Sequence, residues 1–342
     1  MYQGGRAMSR LVRALHRAIR VPGQKAPHDT MHARVYYPGR LTGTAAEREL
    51  GAVEADGDAG PFPVVLFLPA PGVGPECYRW LAQALADRGY VFVTYSYIGE
   101  TPRPSRAAPE VPATGLGPGV DVGRFRPQAY GHGPTSPTLG PLIDDLGRLQ
   151  VEGLLAGLLD LEHVVFGGHA AGGSLALQNA ALRFFTSVTA AFSYAGHACA
   201  PAGLGWPEGA LLPLPGEVPL LLLGGERDGV IAASTHRHGV GPVDPFSPIR
   251  RTFMEAVPGG RGDAHMFLLA GANHFAFCHP DDPTSGRSFL DYRATAPGDA
   301  LRGFFVEVIS TFLDAYVRED SEVVDQLDQL TAHPLVIRAG RR

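Results

Sequence analysis

The sequence predicts an α/β protein with a mostly parallel central sheet and helices on both of its faces. Three observations carry this. Runs of strand length such as Pro63-Val64-Val65-Leu66-Phe67-Leu68 and Pro219-Leu220-Leu221-Leu222-Leu223 are continuously apolar, as strands buried on both faces are. Stretches of helical spacing alternate with them, the order that gives parallel strands joined by right-handed crossovers. The apolar runs also break at glycine, proline or a polar residue, and the crevices at such strand ends hold ligands in open sheets. With 342 residues, 45% of them hydrophobic, the chain has material for one large domain.

Residues 1–30 read as a basic N-terminal segment. From Arg6 to Arg20 an arginine recurs every three or four positions, which leaves no apolar core for a signal peptide. Leu11, Leu15, Ala18 and Ile19 then share one face of an amphipathic helix, packed on the domain or on a second copy of the chain. Attachment to a membrane surface is the alternative, and the missing aromatic anchor weighs against it. A single domain is expected over 31–318. Met31–Tyr37 alternates as an early strand and stops at Pro38. Residues 63–68 form a buried strand, 78–88 a helix ending at Gly89, and 90–97 another strand. Helix follows at 142–158, strand at 163–167, helix at 173–184, strands at 188–194, 219–224 and 265–270, and helix at 298–317. Two long stretches, 101–141 and 196–217, interrupt the alternation after sheet strands and read as walls or covers of a pocket. Residues 319–342 read as a C-terminal tail.

The net charge of −5 argues against nucleic acid as a partner. Cys77, Cys199 and Cys278 are an odd, sparse set, which suggests buried thiols in a reducing, cytoplasmic setting. No run approaches the ~20 apolar residues of a membrane helix. No G-x-G-x-x-G opens the first strand–helix unit, so no cofactor is expected. His236, His238 and Asp244 lie in a loop-like stretch with no shared face, so no metal is expected either.

The chemistry concentrates in three places. His163-Val164-Val165-Phe166-Gly167-Gly168-His169-Ala170-Ala171-Gly172-Gly173-Ser174 has the layout of a nucleophile elbow, G-x-S-x-G on a strand-to-helix turn, with Ala170 where the serine belongs. Asp228 follows the strand 219–224 in a glycine-flanked turn. His274 follows the next strand, in Gly271-Ala272-Asn273-His274-Phe275. Nucleophile position, acid and base thus occur in the chain order that a serine hydrolase of this type requires. The imidazole would take a proton from the nucleophile, and the aspartate would hold its tautomer. Glu226 is the second choice for the acid. His169 should pack beneath the elbow. Ser174, one helical turn on, should face away from the pocket. Cys278 has nothing visible to activate it. His197 and Cys199 read as pocket or packing residues.

These segments, with Leu68-Pro69-Ala70-Pro71-Gly72-Val73 and Gly89-Tyr90-Val91, resemble an α/β-hydrolase of the dienelactone hydrolase, chlorophyllase and PET-hydrolase (cutinase-like) group. The resemblance spans residues 60 to about 318. It implies an α/β-hydrolase fold, a small-molecule ester or lactone substrate, and an oxyanion hole made by the Val73 and Ala171 amides. Ala171 would open a helix, where a free N–H and the helix dipole favour an anion. Tyr130, His132, Trp206 and Phe275 are the expected pocket residues. Three accounts of Ala170 fit. The first is an engineered serine-to-alanine change in a working esterase or lactonase. The second is a natural cyclase, isomerase or lyase using His274 and Asp228 as acid and base. The third is a ligand-binding protein on a catalytically dead scaffold.

Overall fold

The computed structural model of the protein describes residues 11–100, 114–235 and 244–342. Its strands are β1 Leu11–Arg20, β2 Thr30–Arg40, β3 Glu54–Ala55, β4 Phe62–Leu68, β5 Val91–Glu100, β6 Thr114–Leu116, β7 Leu159–His169, β8 Val188–Tyr194, β9 Leu220–Arg227, β10 Ala264–Asn273 and β11 Val336–Arg341. Its α-helices are α1 Ala45–Leu50, α2 Arg79–Asp87, α3 Leu139–Val151, α4 Ala171–Asn179, α5 Gly229–Ser234, α6 Ser247–Arg251, α7 Gly298–Tyr316 and α8 Ser321–Gln329. The strands form one 11-stranded sheet in the order β1-β2-β5-β4-β7-β8-β9-β10-β11, with β3 and β6 paired to β2 and β5. From β5 through β10 every neighbour is parallel; the flanking strands are antiparallel.

The continuous apolar runs have a direct cause. Along β4, Val64, Leu66 and Leu68 point into one core while Val65 and Phe67 point into the other. Along β9, Leu220 and Leu222 face the first core and Leu221 and Leu223 the second. α3 and α4 cover the first face; α2 and α7 cover the second. A strand covered on both sides has no position left for a polar residue.

The structure corrects two expectations about the ends. Residues 11–20 are a strand, not an amphipathic helix, and pair along their whole length with β2, from Leu11 opposite Gly39 to Arg20 opposite Thr30. Their arginines meet partners instead of ringing a helix. Arg17 makes a two-pronged bond to Asp145 of α3, with both contacts at 2.9 Å. Arg13 reaches the Gly51 carbonyl, and Arg20 pairs with Asp29. An oligomer contact through an N-terminal helix therefore loses its basis over 11–20, while residues 1–10 lie outside the described residues. Residues 319–342 are not a loose tail: α8 packs Leu327 into the second core, and β11 closes the sheet against β10. No described helix is long and apolar enough to cross a membrane.

Candidate active site

The carboxyl ends of the parallel strands converge on one cavity of about 320 Å³. Each strand delivers a short piece of it: Ala70 and Pro71 after β4, Ala170 and Ala171 after β7, Ala195 and His197 after β8, and His274 and Phe275 after β10. Val230, Ile231 and Ser234 come from α5 after β9. The lining is mostly apolar with a few convergent polar groups, the common make-up of a small-molecule site.

The elbow is built by close approach. Ala170 has φ 52 and ψ −121, a backbone state that alanine rarely adopts. It bridges the end of β7 and the first turn of α4, and its N–H donates to the Tyr194 carbonyl at 2.9 Å. A Cβ on Gly172 would lie 2.2 Å from the Leu68 carbonyl oxygen, and one on Gly168 would lie 2.4 Å from Gly172. Glycine at both positions lets α4 sit against the ends of β4 and β7. The Ala171 N–H is the first of α4 and has no acceptor within the helix, so it is available to an anion.

His274 and Asp228 meet behind this turn. The imidazole Nδ1 lies 2.8 Å from Asp228 Oδ2 and 3.0 Å from Oδ1, and both side chains are buried. Asp228 also caps α5, accepting from the Ile231 N–H at 2.8 Å. With Nδ1 committed to the carboxylate, Nε2 is the ring nitrogen left for the cavity. Glu226, the second choice for the acid, is exposed and accepts from the Gly271 N–H at 2.9 Å. His169 is fully buried, its ring centroid 4.6 Å from that of His274 and its Nδ1 3.1 Å from the Tyr78 hydroxyl. Its Nε2 makes no well-formed hydrogen bond, the His274 main chain being the polar neighbour. Burial holds His169 well below the ordinary histidine range, and His274 adds to the effect. The residue beneath the elbow thus stays neutral and adds no cation beside His274.

The structure departs from the expected site in three respects. The Val73 N–H donates to the Ala70 carbonyl at 3.2 Å, and Val73 is buried outside the cavity lining. The Gly72 N–H is likewise used, by the Leu116 carbonyl at 2.8 Å, and Pro71 has no N–H to offer. Of the two expected oxyanion donors, only Ala171 lines the cavity. Ser174 does not face away: it lines the cavity with its Oγ accepting from the His197 N–H at 2.9 Å. Because α4 starts directly at the elbow, residues 170, 174 and 178 stack on one helical face, and all three line the cavity. Of the expected pocket residues only Phe275 lines it. Trp206 and Tyr130 stand behind the wall, edge to face at 6.0 Å. Trp206 donates to the Phe125 carbonyl and Tyr130 to the Pro213 carbonyl. They brace Phe125, which does line the cavity; His132 does not.

The two long stretches do contribute walls: Val120 and Phe125 from the first, and His197, Cys199 and Pro201 from the second. Residues 101–113 of the first lie outside the described residues, as do His236 and His238; Asp244 faces Arg250 at 4.0 Å. Among the described residues no group of three His, Cys, Asp or Glu could hold a metal ion. All three cysteines are free and buried. Burial pushes Cys77 and Cys199 up to about 11 and raises Cys278 well above the ordinary thiol range, which keeps the thiols protonated and unreactive.

Sequence reasoning missed Arg287, a cation in the lining, and Asp291, whose carboxylate touches the loops that carry Asp228 and His274. Neither lies in a motif; only the fold brings residues 287–291 back to the site. No protein-family model matches the chain, and neither does any curated protein.

Proposed function

We propose that the cavity is a carboxylic ester or lactone hydrolase site of serine-hydrolase layout, on an α/β-hydrolase fold, with alanine at the nucleophile position. The chain binds a small-to-medium, largely apolar carbonyl compound. The observation that carries this reading is the buried Asp228–His274 pair at 2.8 Å, whose histidine lines the same cavity as the strained turn at Ala170. The strand order, with parallel neighbours from β5 through β10 and site residues at their carboxyl ends, supports it.

With a serine at 170, its Oγ would attack the carbonyl carbon. His274 Nε2 would take the proton and return it to the leaving group, and Asp228 would stabilise the imidazolium. The Ala171 N–H would receive the developing oxyanion. With alanine no oxygen of position 170 can attack, and loss of the nucleophile costs on the order of a millionfold in kcat. On this reading the chain as it stands is a binder or a strongly impaired hydrolase.

A second reading has its own support. The Val73 amide is tied into a turn and the hydroxyl is absent, so two parts of an acyl-transfer apparatus are missing while acid and base are complete. That pattern favours a non-hydrolytic cyclase, isomerase or lyase in which His274 moves a substrate proton. One experiment separates the readings. Ala170→Ser is assayed on p-nitrophenyl acetate and butyrate, with His274→Ala alongside. A gain of about a thousandfold or more that His274→Ala abolishes is expected of a hydrolase site. No gain in the serine variant, together with a proton exchange in a bound ketone that needs His274, decides for acid–base chemistry. Ligand-induced stabilisation without turnover in either variant decides for a binding protein.

A further inference from the structure

Asp291 lies far along the chain from the elbow, yet its carboxylate is wired into the machinery. Oδ1 accepts from the His274 N–H at 3.2 Å, the Gly229 N–H at 3.0 Å and the Tyr292 N–H at 3.0 Å. Oδ2 accepts from the Phe275 N–H at 3.1 Å. Gly229 is the residue after Asp228, and it touches this segment directly: a Cβ there would meet the Leu290 carbonyl oxygen at 2.2 Å. One carboxylate therefore joins the loop that carries the acid to the loop that carries the base. Its surroundings oppose holding a charge there. Asp291 is half-buried, with Asp228 as a like-charged neighbour, and both influences push it above the ordinary carboxylate range. Four amide donors on one carboxylate are a strong compensation, since hydrogen bonds to a charged acceptor are about twice as strong as neutral ones. A turn that needed only to be closed could use a neutral Asn or Ser.

We propose that Asp291 is a positioning residue for the base, clamping the His274 loop to the Asp228 loop so that Nδ1 stays on the carboxylate and Nε2 stays turned to the cavity. This rests on the reading of His274 as the base. It extends that reading by placing a fourth residue in the constellation, one that touches neither substrate nor the reacting atoms.

The test compares Asp291→Ala, which removes all the acceptors, with Asp291→Asn, which removes the charge but keeps an amide oxygen at the Oδ1 position. The primary readout is the titration of His274, followed by NMR on its ring C2–H in the otherwise unchanged protein and assigned by its disappearance in His274→Ala. Asp228, Asp291 and the neutral His169 act on that ring, and Arg287 lines the same cavity. Loss of the clamp lets the ring leave Asp228, so Asp291→Ala is expected to lower the titration by on the order of one pH unit, well beyond Asp291→Asn. Equal shifts in the two variants would reduce Asp291 to a distant charge, and no shift in either overturns the proposal as well. Tyr90→Phe supplies a control for general loosening. It deletes a bond to Asp314 just before β5 begins, at the amino end of the parallel strands, and should leave the titration in place. If it moves the signal as far as Asp291→Ala does, the clamp is refuted. Should Asp291→Ala fail to fold, Asp291→Ser takes its place in the comparison: it removes the charge as Asp291→Asn does but is too short to hold both the His274 and the Phe275 amides, so a shift no larger than that of Asp291→Asn refutes the clamp. A second arm repeats the pair in the Ala170→Ser background, where kcat is expected to fall on the order of 100-fold with KM nearly constant. An inactive Ala170→Ser parent would count against the hydrolase reading alone, since the titration arm needs no turnover.

Discussion

At the scale of single residues, the site is a set of costs that other residues hold in place. Ala170 occupies a conformation that costs an alanine about 1–3 kcal/mol, and it carries no functional atom that would repay this. The turn persists because Gly168 and Gly172 let α4 close onto β4 and β7 and because Tyr194 accepts the Ala170 N–H. Ala170→Gly is therefore expected to stabilise the fold. Strain relief exceeds the added entropy of an unfolded glycine, for a net gain of about 1 kcal/mol, read from urea unfolding midpoints. A lower midpoint would mean that the turn is not strained for alanine. Ala170, Asp228 and His274 were legible in the sequence because strand ends, glycines and chain order mark them together. The Val73 amide was not. Its N–H is turned away by a bond back to Ala70, and the loop is strapped on both sides: the Gly72 N–H donates to Leu116, and the Gly72 carbonyl accepts from the Gly286 N–H. A contact between residues 72 and 286 leaves no trace in a local motif.

At the scale of elements, the sheet interior and β2 were readable and the two edge strands, β1 and β11, were not. β4, β7, β8, β9 and β10 are marked by apolar runs because both of their faces are covered, and that condition is written into each strand. β1 is an edge strand whose outcome depends on a partner elsewhere. Its arginines at every third or fourth place mimic a helix, while Arg17 is in fact fixed by Asp145, a nearly buried carboxylate on α3. The same holds for β11: Val336–Arg341 is short and contains a glycine, and only the exposed edge of β10 makes it a strand. Arg17→Met tests how much of the β1 placement rests on the pair. It leaves Asp145 with Arg148 alone, at 3.5 Å, and keeps an apolar stem on the sheet. We expect a loss of about 2 kcal/mol, less than for a fully buried pair because the arginine side chain is a third exposed. Unfolding midpoints that match the parent would show that backbone pairing with β2 alone sets the strand.

At the scale of the whole molecule, two buried histidines tie stability to pH from separate parts of the sheet. His169 ends β7 beneath the elbow, and His265 lies near the start of β10 with its Nε2 2.7 Å from the Tyr316 hydroxyl. Burial pushes both below the ordinary histidine value of 6.5: His169 well below it, and His265 to about 4, with Arg341 adding to the latter. The folded state therefore binds these protons less readily than the unfolded chain. In this direction, stability is fully present above the unfolded value and is lost as pH falls below it. The His265 contribution disappears between about 6.5 and about 4. Each such group steepens the decline by up to about 1.4 kcal/mol per pH unit. Carboxylates titrate in the lower part of the same range, so the informative quantity is the difference between parent and His265→Gln, which keeps a partner for Tyr316 and removes the titrating ring. Urea midpoints taken from pH 7.5 to 4.5 should fall less steeply in the variant, by about one proton's worth of slope, with the two curves converging in shape above pH 6.5. Parallel curves across the whole range would mean that the imidazole at 265 takes up its proton as readily in the folded protein as in the unfolded chain, and that the buried end of β10 is open to water.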